Sequence, residues 1–172
     1  MLLDAANLIG PETRPIPGEV IVSRNPAHPD RVIWSGSPGT ACVDDAVGAA
    51  CAAQAEWAGA PIDQREAALR AFQALATEHV EELADLICDE TGKPRWDALG
   101  EAKLLAGKVD VTLDVSFEKA ARHRVADYEL EITPTRRGAA RFRPHGVMAV
   151  VGPFNFPMHL PNGHIVPALL MG

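Results

Sequence analysis

One short segment near the C-terminal end restricts the possible folds more than any other part of the chain. Residues 147–151 (VMAVV) form an uninterrupted apolar run, and Gly152 and Pro153 follow it directly. Such a run is typical of a strand that is buried on both faces, as in parallel sheets. Proline has no N–H group with which to continue a ladder, so the strand should end there. The run therefore predicts an α/β fold with part of a parallel sheet.

A rigid loop follows the predicted strand and contains one polar side chain. In residues 153–157, Asn155 lies between two phenylalanines and two prolines. Ligands of open α/β sheets bind beyond the carboxyl ends of the strands, which is where this loop should lie. Asn155 is therefore the strongest candidate for a functional side chain. The alternative is that it is only a turn former, because asparagine is common in turns.

The composition is that of an ordinary globular domain, and it narrows the classes of function. The chain has 172 residues, of which 47% are hydrophobic and 23% charged, enough for one domain with a core. The net charge of −7 gives no basic face for nucleic acid, and no apolar run approaches the roughly 20 residues of a membrane helix. We expect a cytoplasmic protein, because the start of the chain lacks a signal peptide's basic region and the three cysteines lack CxxC spacing.

The middle of the chain has the periodicity of helices. A first helix should begin at Val43, and the alanines on one of its faces predict close packing against a neighbour. Pro61 should open a second helical segment that breaks near Thr77 and ends at Gly92. A third helix is predicted for residues 95–119. The residues expected to share its apolar face include Trp96, Leu99, Ala102, Ala106, Val109, Leu113 and Phe117.

Two pairs of short segments predict β-hairpins. Residues 19–22 and 31–34 each have strand character and flank a turn-forming segment with two prolines. Residues 128–132 and 139–143 alternate in polarity about a second turn. A hairpin alone is marginally stable in water, so the second one should need a partner subunit or further chain.

These segments together resemble the NAD(P)-dependent aldehyde dehydrogenase superfamily. The predicted strand and loop, GVMAVVGPFNFP, are similar to the family's strand and loop, and the ETGKP sequence at residues 90–94 resembles a junction of the family. The NPA sequence that starts at Asn25 resembles a turn of the family. The string HLPNGHIVPALL most resembles the succinylglutamate-semialdehyde dehydrogenase branch, although Met158 stands where that branch usually has glycine.

The resemblance implies a domain plan and a reaction. Residues 1–125 would be the N-terminal part of a cofactor-binding domain, residues 126–144 an oligomerisation hairpin, and residues 145–172 a truncated return to that domain. The cofactor would be NAD or NADP, and the substrate an aldehyde such as N-succinylglutamate semialdehyde. The hairpin would join the chain to further copies in a homo-oligomer.

The resemblance also implies roles for individual residues. Asn155 would donate an amide N–H to the aldehyde oxygen as negative charge develops on it. Val151, Gly152, Pro153 and Phe154 would line the cofactor cleft. Gly152 suits this place because a missing Cβ lets a ligand approach the backbone, and it also suits the end of a strand.

The residues that most often bind metals or act as nucleophiles give no further site. His159 and His164 are five positions apart, which does not place them on one helical face for a metal, so no metal is expected. We interpret them as packing or substrate-pocket residues. Cys42, Cys51 and Cys88 are each expected to be small buried hydrophobes.

The family's cysteine nucleophile and glutamate base would lie beyond residue 172. The isolated chain is therefore predicted to be inactive in the family's reaction. A second hypothesis stays open: a catalytically silent, truncated relative that acts as a binding or oligomerisation module.

Overall fold

The computed structural model describes residues 3–37, 39–113 and 127–172. These residues form a mixed fold of helices and strands, so the expected fold class is confirmed. The strands are β1 (Leu3–Asp4), β2 (Ala6–Ile9), β3 (Glu12–Pro15), β4 (Ile21–Asn25), β5 (His28–Gly36), β6 (Tyr128–Thr133) and β7 (Arg136–Ala140). The helices are α1 (Val43–Gly59, preceded by a 3-10 turn at Thr40–Cys42), α2 (Ile62–Glu78), α3 (Val80–Thr91), α4 (Arg95–Leu113) and α5 (His159–Met171).

The N-terminal strands form two small sheets. In the first, β5 pairs antiparallel with β4 and parallel with β1, and in the second, β2 pairs antiparallel with β3. The predicted first hairpin is therefore confirmed. Asn25 shapes its turn, because Oδ1 accepts hydrogen bonds from the backbone N–H groups of Ala27 (2.8 Å) and His28 (3.1 Å). Its Nδ2 atom donates to Asp89 at 2.9 Å and so joins the hairpin to α3.

The helix boundaries follow the signals in the sequence. The predicted break separates α2, which ends at Glu78, from α3, which begins at Val80. Gly92 has a φ of 71°, and its N–H donates to the Cys88 carbonyl at 2.9 Å, as expected for a glycine just past a helix end. The predicted third helix is present as α4 up to Leu113, and its remainder lies outside the described residues.

Helix α4 is the centre of the helical layer and packs against α2, α3 and α5. Small side chains on α4 allow the close approach of α3, while larger aliphatic side chains fill the space between α2, α4 and α5. The core between α3 and α4 comprises Ala84, Ile87, Ala98 and Ala102, and the core between α2, α4 and α5 comprises Leu69, Val109, Val166 and Leu170.

The predicted apolar face of α1 is exposed in the structure, whereas that of α4 is buried at Ala102, Ala106 and Val109 but exposed at Trp96. Helix α1 has no buried residue, so the expected close packing of its alanine face is absent from the described part of the chain. Trp96 is 76% exposed, whereas Ala98 is fully buried. Two positions correspond to about 200° around a helix, so these side chains point in nearly opposite directions. The buried stripe of α4 therefore runs through Ala98 and excludes Trp96.

The predicted strand at residues 147–151 is absent, and this prediction is wrong. The segment has no strand assignment, and Val147, Met148 and Val151 are exposed by 41%, 43% and 94%. No described strand pairs with it. An apolar pattern shows that a segment is suited to burial, but a strand also needs a partner for its backbone hydrogen bonds. The described residues provide no such partner.

The second predicted hairpin is present as β6 and β7, which pair antiparallel, but β7 begins at Arg136 and ends at Ala140 instead of covering residues 139–143. It carries exposed apolar side chains, with Leu130 49% and Ile132 59% exposed. Arg141 forms ion pairs with Asp127 and Glu129 at the open end of the hairpin.

Candidate functional site

Asn155 lies at the tip of a tight turn just before α5. The Phe156 N–H donates to the Pro153 carbonyl at 3.3 Å, which closes a turn with Phe154 and Asn155 at its two central positions. The Asn155 residue is exposed. Within the described ranges its side chain has no hydrogen-bond partner, so its amide is available to donate to a ligand.

Gly152 lies against the first turn of α5. A Cβ atom on this residue would be 2.4 Å from Cγ of Pro161, which is closer than real contacts allow. The sequence suggested that the missing Cβ leaves room for a ligand. In the structure the space on that side of Gly152 is taken by Pro161, so the glycine permits close packing between the loop and α5.

The other loop residues assigned to the cofactor cleft have accessible surface beside Asn155. Val151 is 94% and Phe154 is 84% exposed, and Gly152 and Pro153 are also exposed. Phe154 borders a cavity of about 560 Å³ whose wall is largely apolar. An accessible apolar surface next to free polar groups is the kind of surface against which a nucleotide ring packs. All four residues are thus accessible in the structure.

A buried carboxylate fixes the start of α5. The Glu101 side chain is fully buried (0% exposed), and its Oε1 atom accepts hydrogen bonds from the backbone N–H groups of Met158 (3.0 Å) and His159 (3.2 Å). The first N–H groups of a helix have no partner within the helix, and its N-terminal end favours negative charge. Glu101, which comes from the centre of α4, satisfies both conditions.

Lys93 balances the charge of Glu101 and also contacts the loop. Its Nζ atom lies 2.7 Å from Oε2 of Glu101, 3.4 Å from Asp97 and 3.9 Å from the centre of the Phe156 ring. Desolvation of the ammonium lowers the pKa of Lys93, but hydrogen bonds and charge from Glu101 and Asp97 outweigh this, so its pKa is raised. The lysine therefore keeps its positive charge between α4 and the residue that follows Asn155.

Neither member of this ion pair was predicted from the sequence as a functional residue, and Lys93 is part of the ETGKP segment at residues 90–94. One signal was available, because Glu101 lies beside Ala98 and Ala102 on the buried stripe of α4. A charged residue on such a stripe needs a buried partner, and Lys93 is that partner.

The histidines and cysteines considered from the sequence differ in burial. His159 begins α5 with a buried Nδ1 atom that has no partner among the described residues, whereas His164 is exposed. Cys51 is exposed, so its expected burial is wrong, because it lies on the solvent side of α1; Cys42 and Cys88 are partly buried. No group of three or more potential metal-ligating acids, histidines or cysteines occurs in the described part of the chain. The described helices include none with the length and hydropathy to cross a membrane.

The chain belongs to the aldehyde dehydrogenase family, whose model matches residues 15–172. It is similar to N-succinylglutamate 5-semialdehyde dehydrogenase of Paraburkholderia xenovorans, at 44% identity over 95% of the chain and 32% of that protein. The enzyme of the same name from Burkholderia mallei is 46% identical over 90% of the chain and 31% of that protein. The chain thus spans about a third of the length of these curated relatives, as expected for an N-terminal portion.

Solved structures of the family have the same arrangement of elements. An NADP complex of NADP-dependent glyceraldehyde-3-phosphate dehydrogenase from Bacillus halodurans matches 99% of the chain and 36% of that protein, with a TM-score of 0.79 and 26% identity. An NAD-dependent benzaldehyde dehydrogenase from Corynebacterium glutamicum matches 97% of the chain and 36% of that protein, with a TM-score of 0.74 and 31% identity.

Proposed function

We propose that this chain is the N-terminal part of an NAD(P)-dependent aldehyde dehydrogenase that oxidises N-succinylglutamate 5-semialdehyde or a similar semialdehyde to the carboxylate. The observation that carries the proposal is the free amide of Asn155, presented at the tip of a turn that packs onto α5. The named relatives at 44% and 46% identity support the substrate class.

In the proposed reaction Asn155 stabilises charge on the aldehyde oxygen. A cysteine thiolate outside these residues attacks the carbonyl carbon, a C–S bond forms, and the π electron pair of the carbonyl moves onto oxygen. An N–H donor aimed at that oxygen stabilises the charge as it develops. A neutral amide suits this step because its hydrogen bond to the uncharged carbonyl oxygen is weaker than its hydrogen bond to the oxyanion. It therefore stabilises the transition state more than the ground state. A thioester then forms and is hydrolysed.

The cofactor would be held beside this loop. Val151, Gly152, Pro153 and Phe154 would form one wall of its cleft, as their exposure allows. When bound, the nicotinamide would supply the acceptor for the hydride that leaves the substrate carbon as the thioester carbonyl forms. Both nucleotides occur in the names of structural neighbours, so we leave the choice between them open.

The proposed assembly uses the hairpin of β6 and β7. In our domain plan, residues 1–125 and 145–172 contribute to the cofactor-binding domain, and residues 126–144 form an arm that pairs with another copy. The exposed side chains of Leu130 and Ile132 support this role, because they would gain burial against a partner. We place the protein in the cytoplasm, in accordance with its three free cysteines.

The test replaces Asn155 in a complete protein that carries this sequence. Asn155→Ala should lower kcat by roughly 10²–10³-fold, as for other oxyanion donors. Asn155→Asp keeps the shape but replaces the donor with a negative charge, so its loss should be at least as large. The matched control is Asn7→Ala, which removes a side-chain amide that donates to Cys42 and does not contact the Asn155 loop. Near-normal turnover of Asn155→Ala would show that the residue only forms the turn.

The isolated 172-residue chain should produce no reduced nicotinamide from an aldehyde, because the proposed nucleophile and base are outside it. The intact mass of the natively produced protein decides which hypothesis applies. A mass near 18.4 kDa would favour the silent binding or oligomerisation module. A mass about three times larger would favour the enzyme. Aldehyde oxidation by the isolated chain would contradict this reasoning.

A further inference from the structure

The turn that carries Asn155 is held at one end by α5 and at the other end by Lys93. On the N-terminal side, Gly152 packs against Pro161 so closely that a Cβ atom would not fit. On the C-terminal side, the Phe156 ring lies 3.9 Å from Nζ of Lys93. The position of the turn therefore depends on how the first turn of α5 and the Lys93 ammonium are held.

The first turn of α5 is held by Glu101. Its carboxylate accepts hydrogen bonds from Met158 and His159 at 3.0 and 3.2 Å, and Lys93 lies 2.7 Å from its other oxygen. Because Glu101 is fully buried and comes from the central core helix, this contact cannot be replaced by water without rearrangement of the core. The ion pair thus connects the rigid core of the chain to the loop.

We propose that Glu101, held by Lys93, is a positioning residue for Asn155 in aldehyde oxidation. The inference rests on the proposed function, since it concerns the aim of the proposed oxyanion donor. Stabilisation by such a donor requires a hydrogen bond to the oxygen at its transition-state position. A misplacement of about 1 Å can cost up to about 10²-fold in rate. A contact that fixes the turn therefore affects kcat without touching the substrate.

The direct variant is Glu101→Gln in the complete enzyme. A glutamine has one oxygen and one NH₂ group, so a donor must face either the Lys93 ammonium or the two backbone N–H groups of α5. With N-succinylglutamate 5-semialdehyde as substrate, kcat should fall about tenfold while KM for the aldehyde changes little, as for a group that serves only the transition state. Asp110→Asn is the matched control, because Asp110 lies on the same helix and pairs with Arg70 away from the loop.

The decisive readout is the same change in an Asn155→Ala background. If Glu101 acts through Asn155, its replacement should cost almost nothing once the amide is absent. If Glu101 only stabilises the fold, the two losses should multiply, and the inference is wrong. If Asn155→Ala alone leaves turnover near normal, the proposed function fails first and the inference fails with it. The two failures are therefore distinguishable.

A second variant covers the case in which Glu101→Gln does not fold. Replacement of both Lys93 and Glu101 by methionine removes the two charges together, and such replacements of buried ion pairs are often neutral for stability. The start of α5 then loses its acceptor without a stranded charge. The paired variant should reproduce the loss of kcat in the parent and lose this effect in the Asn155→Ala background. An unchanged kcat in a folded paired variant would overturn the inference.

Discussion

Arg65 is a buried cation that joins the C-terminal ends of two helices. Its Nε atom donates to the Leu170 carbonyl at 2.9 Å, and Nη1 donates to the carbonyls of Trp57, Ala58 and Ala60 at 3.3, 3.0 and 2.7 Å. The carbonyl groups at a helix C-terminus have no partner within the helix and favour positive charge. One side chain of α2 thus caps the end of α1 and the end of α5.

The change Arg65→Met removes these hydrogen bonds and keeps most of the apolar stem. The contact with Leu170 is buried, so its unpaired carbonyl should cost about 1–3 kcal/mol. The contacts with α1 are partly buried, and water can replace them at a cost of about 0.5 kcal/mol each. The substitution also removes the desolvation cost of the buried Arg65 guanidinium, which offsets part of this loss of stability. We therefore expect the free energy of unfolding to fall by about 3 kcal/mol.

The assay is urea unfolding of the protein, analysed from the midpoint at constant m-value. Arg70→Met is the matched control, because Arg70 lies on the same helix but is 41% exposed and pairs with the half-exposed Asp110. An exposed ion pair contributes at most about 1 kcal/mol. Equal losses for Arg65→Met and Arg70→Met would refute the view that burial and helix capping set the contribution of Arg65.

Two other changes test the loop and its ion pair. Gly152→Ala should lower the free energy of unfolding by about 1–3 kcal/mol, because the added Cβ atom clashes with Pro161. Gly163→Ala in α5 is the control, since its Cβ atom has space and the change should be neutral or stabilising. Thermal unfolding of both variants checks this. Because the pKa of Lys93 is raised, the stability from its ion pair with Glu101 should be present below pH 10.5 and lost as the pH rises through the folded-state pKa. The stability difference from the double methionine variant should therefore shrink in alkaline unfolding experiments.

Local signals predicted the helices and hairpins because these elements satisfy their backbone hydrogen bonds within themselves or with a neighbour in sequence. The break between α2 and α3 and the turn at Gly92 both occur where the sequence placed them. Both hairpins also form about turns that the sequence signals predicted, although β7 begins earlier than the alternation of polarity indicated. Such features depend on conformational preferences that a few adjacent residues carry.

The prediction of a strand at residues 147–151 was wrong because such a strand depends on a long-range contact. Its backbone hydrogen bonds would have to come from a strand that is distant in sequence, and the local pattern does not indicate whether that strand is present. The alanine face of α1 has the same dependence, because small residues favour close packing only where a neighbouring element exists. For residues 147–151, exposure in the described chain follows from the lack of a described strand beside them rather than from their composition.

The candidate site combines a residue that the sequence could identify with residues that it could not. Asn155 stood out because prolines and aromatic residues surround it, whereas Glu101 contacts Met158 and His159 at a sequence separation of 57 and 58 residues. A contact of this kind follows from the packing of α4 against α5 and not from the sequence near either end. The same helix that provides the core therefore also provides the anion that fixes the loop. For this reason, substitutions on the buried stripe of α4 should be judged by their effect on turnover as well as on stability.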